Sequence, residues 1–342
     1  EGDYFFTAPK KSRNSKAIFY TRQNYQQYPD IWISTTDFES PVQLTQANPQ
    51  QKNYKWGAVS LVEWKNNDAI TLQGLLYKPE NFDPNKKYPM VVYFYELSSD
   101  TYHRHYAPQP SRSTINRTLY ASNDYFVFVP DIIYKKGLPG ESAYNCIVSG
   151  VENMIKEYPS IDAKHIALQG QSWGGYQTAY LITQTNMFAA AMAGAPVSNM
   201  TSAYGGIRWE TGISRMFQYE HTQSRIGETI WDNLDAYIKN SPLFYADKVQ
   251  TPLLMMHNDN DGAVPWYQGI EFFTALRRLD KPVWMLNYNG EPHNLKAESW
   301  GNRKDLSTRM KQFFDHYLKD EKTPEWMIKG RLNLEKENNK AY

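Results

Sequence analysis

The sequence predicts an α/β protein built on a mostly parallel central sheet, with a short antiparallel β segment ahead of it. Up to about Trp56 the chain reads as short strands punctuated by lysine, proline, serine and asparagine. From Leu61 onward, uninterrupted apolar runs alternate with helix-length segments, the pattern of strands buried on both faces of a parallel sheet. A glycine-bracketed serine stands between one such run and a helical stretch, where a strand-to-helix turn belongs.

The first strands are Tyr4–Thr7, Ala17–Thr21, Asp30–Ser34 and Val42–Leu44. Four strands in so short a stretch match one blade of a β-propeller. A propeller needs roughly four to eight blades, and no second copy of the pattern follows, so residues 1–57 read as a blade remnant. Residues 58–320 read as the α/β domain, with strands expected at Ile70–Tyr77, Met90–Tyr95, Phe126–Pro130, His165–Gln169, Ala191–Gly194, Pro252–His257 and Val283–Asn287. Residues 198–241 have little strand character beyond a helical-looking Ile230–Lys239, and read as an insertion over the site. The last helix, Arg303–Leu318, spaces Leu306, Met310, Phe313, Phe314 and Tyr317 along one face. The charged stretch 321–342 reads as a peripheral tail.

Bulk properties narrow the partners. The chain has 37 basic and 36 acidic residues, a net charge of +1 and no long run of one sign, so charge gives no reason to expect nucleic acid or a membrane surface. No apolar run approaches the roughly 18 residues of a spanning helix. The start, Glu1-Gly2-Asp3-Tyr4, lacks a signal-peptide pattern, although processing or truncation would give the same start. Cys146 is the only cysteine, so the chain holds together without an intrachain disulfide. It reads as a small buried hydrophobe in a helix.

Gly170-Gln171-Ser172-Trp173-Gly174 is the G-x-S-x-G of a nucleophile elbow, in its required context after a strand and before a helix at Tyr176–Thr185. This predicts the α/β-hydrolase fold with Ser172 as nucleophile. A serine hydroxyl needs a base to take its proton and a carboxylate to hold that base in the right tautomer. In this fold the partners follow in the order serine, acid, histidine. The acid is expected in His257-Asn258-Asp259-Asn260-Asp261-Gly262, and the histidine in Asn289-Gly290-Glu291-Pro292-His293. Asp261 is favoured over Asp259 because it lies further into the loop, just before Gly262 and Val264-Pro265. His257 reads as a structural residue ending a buried strand. No metal or cofactor is called for.

Extended to Gly-Gln-Ser-Trp-Gly-Gly-Tyr, the motif resembles the prolyl oligopeptidase family of serine peptidases, especially its dipeptidyl peptidase IV and acylaminoacyl peptidase branches. Tyr88-Pro89, Ala195-Pro196-Val197-Ser198, Ser241-Pro242, Thr251-Pro252 and the Asp261 and His293 loops extend the likeness over most of the chain. The resemblance implies a peptide substrate, a catalytic portion of a longer chain whose propeller gates the site, and a periplasmic or secreted setting, with the cytoplasm also open. It implies an oxyanion hole made by the Trp173 N–H and the Tyr95 hydroxyl, although Glu96-Leu97-Ser98 stands where the family commonly has a small residue, glycine and proline. For the pocket that takes the residue before the cut it points to Trp173, Val197, Met200, Tyr204 and Val264, suited to proline or a medium hydrophobic side chain.

A carboxylesterase on the same fold is the competing enzyme reading. From another class comes a binding or assembly fragment whose blade, with an unpaired sheet edge, docks onto a partner, a second copy or the propeller it lacks. Glu96 reads as a salt-bridged or solvated loop carboxylate. The triplets Asn116-Arg117-Thr118 and Asn199-Met200-Thr201 fit a glycosylation acceptor but recur too easily by chance to be given a role.

Overall fold

A computed structural model describes residues 2–7 and 9–330. Its first sheet is antiparallel and holds β1 (Phe5–Phe6), β2 (Lys10–Lys11), β3 (Ala17–Asn24), β4 (Gln27–Thr35) and β5 (Val42–Gln43). The order is β1-β3-β4-β5, with β2 also on β3. The sequence reading missed β2, whose two lysines carry no strand signal. Phe5, Phe6, Phe19, Ile31, Phe38 and Val42 are exposed on this small sheet.

The second sheet contains β6 (Ala58–Lys65), β7 (Thr71–Lys78), β8 (Tyr88–Tyr93), β9 (Phe126–Pro130), β10 (Ile161–Gln171) and β11 (Ala190–Gly194). A two-stranded hairpin, β12 (Ile207–Arg208) and β13 (Ile213–Ser214), interrupts the chain before β14 (Leu253–Met256) and β15 (Val283–Leu286) complete the eight strands. The order is β15-β14-β11-β10-β8-β9-β7-β6. Every pairing from β15 to β9 is parallel, whereas β7 runs antiparallel to both β9 and β6.

Helices cover both faces, which explains the continuous apolar runs. In chain order they are α1 (Arg117–Ala121), α2 (Pro139–Glu157), α3 (Trp173–Gln184), α4 (Met200–Tyr204), α5 (Met216–Glu220), α6 (Leu234–Lys239), α7 (Trp266–Arg278), α8 (Trp300–Lys319) and α9 (Glu325–Lys329). Successive strand residues point to opposite faces, so Met90, Val92, Phe126 and Phe128 join one core with α2, α3 and α7, while Val91, Val127 and Val129 join another with α1 and α8. The α2 helix opens with Pro139, whose missing N–H costs nothing there, and buries Ala143, Cys146, Ile147, Gly150, Val151 and Met154 at helical spacing.

Phe128 is fully buried, edge-on to Trp64 at 5.5 Å, and a Cβ built on Gly150 of α2 would lie 3.0 Å from its ring. Phe128→Ala would therefore leave a void that α2 cannot collapse into. The expected destabilisation is about 3–5 kcal/mol, read from the denaturant midpoint of tryptophan fluorescence. A midpoint within experimental error of the unsubstituted chain would contradict this packing.

Among the described residues, the strands within 198–241 are the two-residue β12 and β13, a hairpin too short to leave a periodic signal. One expectation needs correction. The tail is not wholly peripheral, because α9 buries Met327 against the core and the Met327 carbonyl accepts a hydrogen bond from Trp284 Nε1 at 2.9 Å. Residues 331–342 of that tail lie outside the described residues. Asn116 and Asn199 serve as helix N-caps, their side chains accepting from Leu119 N–H and Thr201 N–H. No helix among the described residues is long and apolar enough to cross a membrane.

Candidate active site

The strand order creates the crevice. From β8 the chain passes to β9 on one side, then returns as β10 on the other, so β8 and β10 flank a topological switch point. Ligands in open α/β sheets bind outside the carboxyl ends of the strands at such a point. Tyr95 follows β8, Ser172 follows β10, Asp261 follows β14 and His293 follows β15. Parallel pairing brings all four to one edge of the sheet.

Ser172 has φ 61° and ψ −114°, a conformation rare for a residue with a side chain, typically costing about 1–3 kcal/mol. The surroundings hold it there. Its N–H donates to the Gly194 carbonyl at 2.7 Å, and its carbonyl accepts from Tyr176 N–H at 2.9 Å. The bracketing glycines have a steric reason: a Cβ on Gly170 would lie 2.2 Å from the Gly174 carbonyl oxygen, and one on Gly174 would lie 2.6 Å from that of Phe94. Trp173 opens α3, so its N–H belongs to the first-turn donors that a helix leaves without intrahelical partners.

Asp261 and His293 meet. Asp261 Oδ2 lies 2.6 Å from His293 Nδ1, while Oδ1 accepts from the N–H groups of Ala263 and Val264, both at 2.8 Å. Nδ1 must carry the proton to donate to the carboxylate, which in neutral imidazole leaves Nε2 with its lone pair. The His293 loop is pinned through its backbone, with Gln171 Nε2 donating to the His293 carbonyl at 2.9 Å and Asn258 Nδ2 to that of Pro292 at 2.7 Å. Asp259 is exposed and accepts from Gly290 N–H at 2.7 Å instead.

His257 directly follows β14 as a buried residue, and its contact with the acid has no sequence signal. Fully buried, it places Nε2 3.3 Å from Asp261 Oδ2 and 3.1 Å from the Val264 carbonyl. Burial by itself pushes the Asp261 carboxyl up, but hydrogen bonds from His257 and His293, with their charges, outweigh it and hold the group well below the usual carboxylate range.

A cleft of about 930 Å³ joins these elements, lined by Ser172, His293, Tyr95, Trp173, Val197 and Val264 among others. Tyr95 is 39% exposed and its hydroxyl accepts from Gln223 Nε2 at 2.9 Å. Glu96 forms a fork with Arg225, Oε1 to Nη1 at 3.2 Å and Oε2 to Nη2 at 3.4 Å, as expected of a salt-bridged loop carboxylate.

Met200 and Tyr204 do not line this cleft. The α4 turn directs both into the core, where Met200 is fully buried and the Tyr204 ring packs edge-on to Tyr237 at 5.1 Å while its hydroxyl donates to Glu220. The wall is supplied from further along the insertion by Phe217, His221, Gln223, Arg208, Arg215 and Arg225. Sequence reasoning placed the insertion over the site but could not select these side chains, because its hairpin and short helices set their direction.

The profile of the prolyl oligopeptidase family matches residues 134–321, more than half of the chain. The uncharacterized peptidase YuxL of Bacillus subtilis (strain 168) is 26% identical over 263 residues, 74% of this chain and 38% of that protein. The acylamino-acid-releasing enzyme of Rattus norvegicus is 31% identical over 170 residues, 47% of this chain and 23% of that protein. Among solved structures, an acylaminoacyl peptidase of Pyrococcus horikoshii superposes with a TM-score of 0.78 at 20% identity, over 96% of this chain and 52% of that one. The dipeptidyl peptidase 4 of Porphyromonas gingivalis superposes with a TM-score of 0.71 at 20% identity, over 91% and 43%. These superpositions bear on the fold, and this chain spans about half or less of the length of each of these relatives. With an elbow serine, an acid–histidine pair and a family profile that covers β10, β11, β14 and β15 of the large sheet and both of those loops, the chain belongs to the prolyl oligopeptidase family of serine peptidases.

Proposed function

We propose that the chain is the catalytic portion of a peptidase that hydrolyses short peptides through an acyl-enzyme. Ser172 Oγ attacks the scissile carbonyl carbon while His293 Nε2 takes its proton. His293 then gives that proton to the leaving amine, and water repeats the sequence to release the acid. Asp261 orients His293 and stabilises the imidazolium, while the Trp173 N–H and Tyr95 O–H donate to the oxyanion. The observation that carries this reading is the 2.6 Å contact between Asp261 and His293 in the cleft that holds the strained Ser172. Val197 and Val264 beside Trp173 favour proline or a medium hydrophobic side chain before the cut. The exposed apolar residues of the N-terminal sheet fit one blade of a propeller carried by a longer chain.

Labelling by a fluorophosphonate with intact-mass detection tests the nucleophile: one adduct is expected on the unsubstituted chain and none on Ser172→Ala. Parallel peptide and ester substrates then separate a peptidase from a carboxylesterase, which would turn over only the esters. Tyr95→Phe removes one oxyanion donor, so kcat should fall by 10²–10³-fold, about 2.7–4 kcal/mol, with KM little changed. A loss of less than threefold would remove Tyr95 from the oxyanion hole.

A further inference from the structure

The catalytic reading leaves the cationic side of the cleft unused. Among the described residues that line it are three arginines, Arg208, Arg215 and Arg225, against one carboxylate residue, Glu96. Arg225 is answered by Glu96, and Arg208 approaches Glu210 at 3.5 Å. Arg215 has no such partner among the described residues, although it is 2% exposed.

Its hydrogen bonds go to neutral groups. Nη1 donates to the Ala263 carbonyl, Nη2 donates to the Tyr219 hydroxyl at 3.3 Å, and buried Nε has no partner among the described residues. Three carboxylates of the insertion and of the segments around the Ala263 contact have partners of their own: Asp261 has His257 and His293, Glu220 has Tyr204 and His221, and Glu271 has Asn199 and Ser202. Buried charges are ordinarily paired, because the solvation they lose must be replaced. A carbonyl and a phenol satisfy part of the five-donor fork without supplying a counter-charge.

Arg215 is also held firmly. Its backbone N–H donates to the Gly206 carbonyl at 3.0 Å, and the contact to Ala263 ties it to the segment that follows Asp261. It is thus a preorganised cation in a wall shared with Ser172. The planar fork matches a carboxylate in two parallel hydrogen bonds, and burial strengthens them.

We propose that Arg215 recognises a carboxylate of the peptide substrate, either an acidic side chain or a free C-terminus, which enters the cleft as the missing counter-charge. The inference rests on the proposed reading of this cleft as the substrate site. It makes Arg215 a specificity-determining residue and leaves bond cleavage to Ser172 and His293.

The test measures binding in Ser172→Ala, which leaves the ligand intact. Three dye-labelled short peptides are compared, identical except for a glutamine with an amidated C-terminus, a glutamate with an amidated C-terminus, and a glutamine with a free C-terminus. At least one carboxylate-bearing peptide should bind roughly ten- to a hundredfold tighter than the uncharged one, and which one does so identifies the source of the carboxylate. The advantage should disappear when Arg215→Gln is added and be reduced with Arg215→Lys, which keeps the charge but loses the fork. Equal affinities for all three peptides, or an advantage that survives Arg215→Gln, would overturn the proposal. If Arg215→Gln does not fold, the comparison of the three peptides on Ser172→Ala and its Arg215→Lys derivative still decides. Fluorophosphonate labelling of the unsubstituted chain reports on Ser172 separately: labelling without a carboxylate preference defeats this inference alone, and a preference without labelling sustains it while defeating the catalytic reading.

Discussion

Ser172→Ala should lower kcat for a peptide substrate by roughly 10⁶-fold, while the far-ultraviolet circular dichroism stays that of the unsubstituted chain. The size follows from the mechanism, since without Oγ no acyl-enzyme can form and the remaining groups can only bind and polarise the carbonyl. The fold should persist because alanine keeps the Cβ, and the contacts that hold φ at 61° are made by the backbone of residue 172. Cys146 is no substitute nucleophile: it is buried in α2, and burial pushes its thiol up, away from the reactive thiolate. Hydrolysis within a hundredfold of the unsubstituted rate would show that another residue or a contaminant does the chemistry.

Asp261→Asn should cost about 10⁴-fold in kcat and Asp259→Asn less than a few-fold. An asparagine can offer its amide N–H to His293 Nδ1, which stabilises the tautomer that carries its proton on Nε2 and so blocks the base. Asp259 lies on the surface and, among the described residues, holds only the Gly290 N–H. Equal effects of the two substitutions would reopen the choice between the aspartates.

The same carboxyl sets an acid limit on stability. Its value in the fold is depressed below the roughly 3.9 of an unfolded aspartate. Its contribution is therefore fully present above about pH 4 and is lost as the pH falls from there toward the folded value. Between pH 5 and pH 3 the unfolding midpoint should fall less steeply in Asp261→Asn than in the unsubstituted chain. Parallel curves would mean that other carboxylates govern acid unfolding.

Much of this protein is legible in its residues, for identifiable reasons. Apolar runs such as Phe126–Pro130 announced strands because burial on both faces removes every polar position, leaving a signal local to five residues. The elbow was legible because its glycines answer short-range collisions, so Ser172 and its strand-to-helix setting are written in seven consecutive residues. The positions of Asp261 and His293 followed from the order in which parallel strands deliver their loops to one edge of the sheet.

What only the tertiary structure decided lies where direction rather than identity matters. Met200 and Val197 are both buried and apolar, and only two residues separate them, yet only Val197 reaches the cleft because α4 turns Met200 into the core. His257 meets Asp261, and Arg215 reaches Ala263 across 48 residues of chain, through contacts that no periodicity encodes. By itself the sequence determined where backbone sterics and two-sided burial act within a few residues. Packing decided which side chains share the cleft and which cation there has no carboxylate partner among the described residues, because those depend on how distant segments turn toward one another.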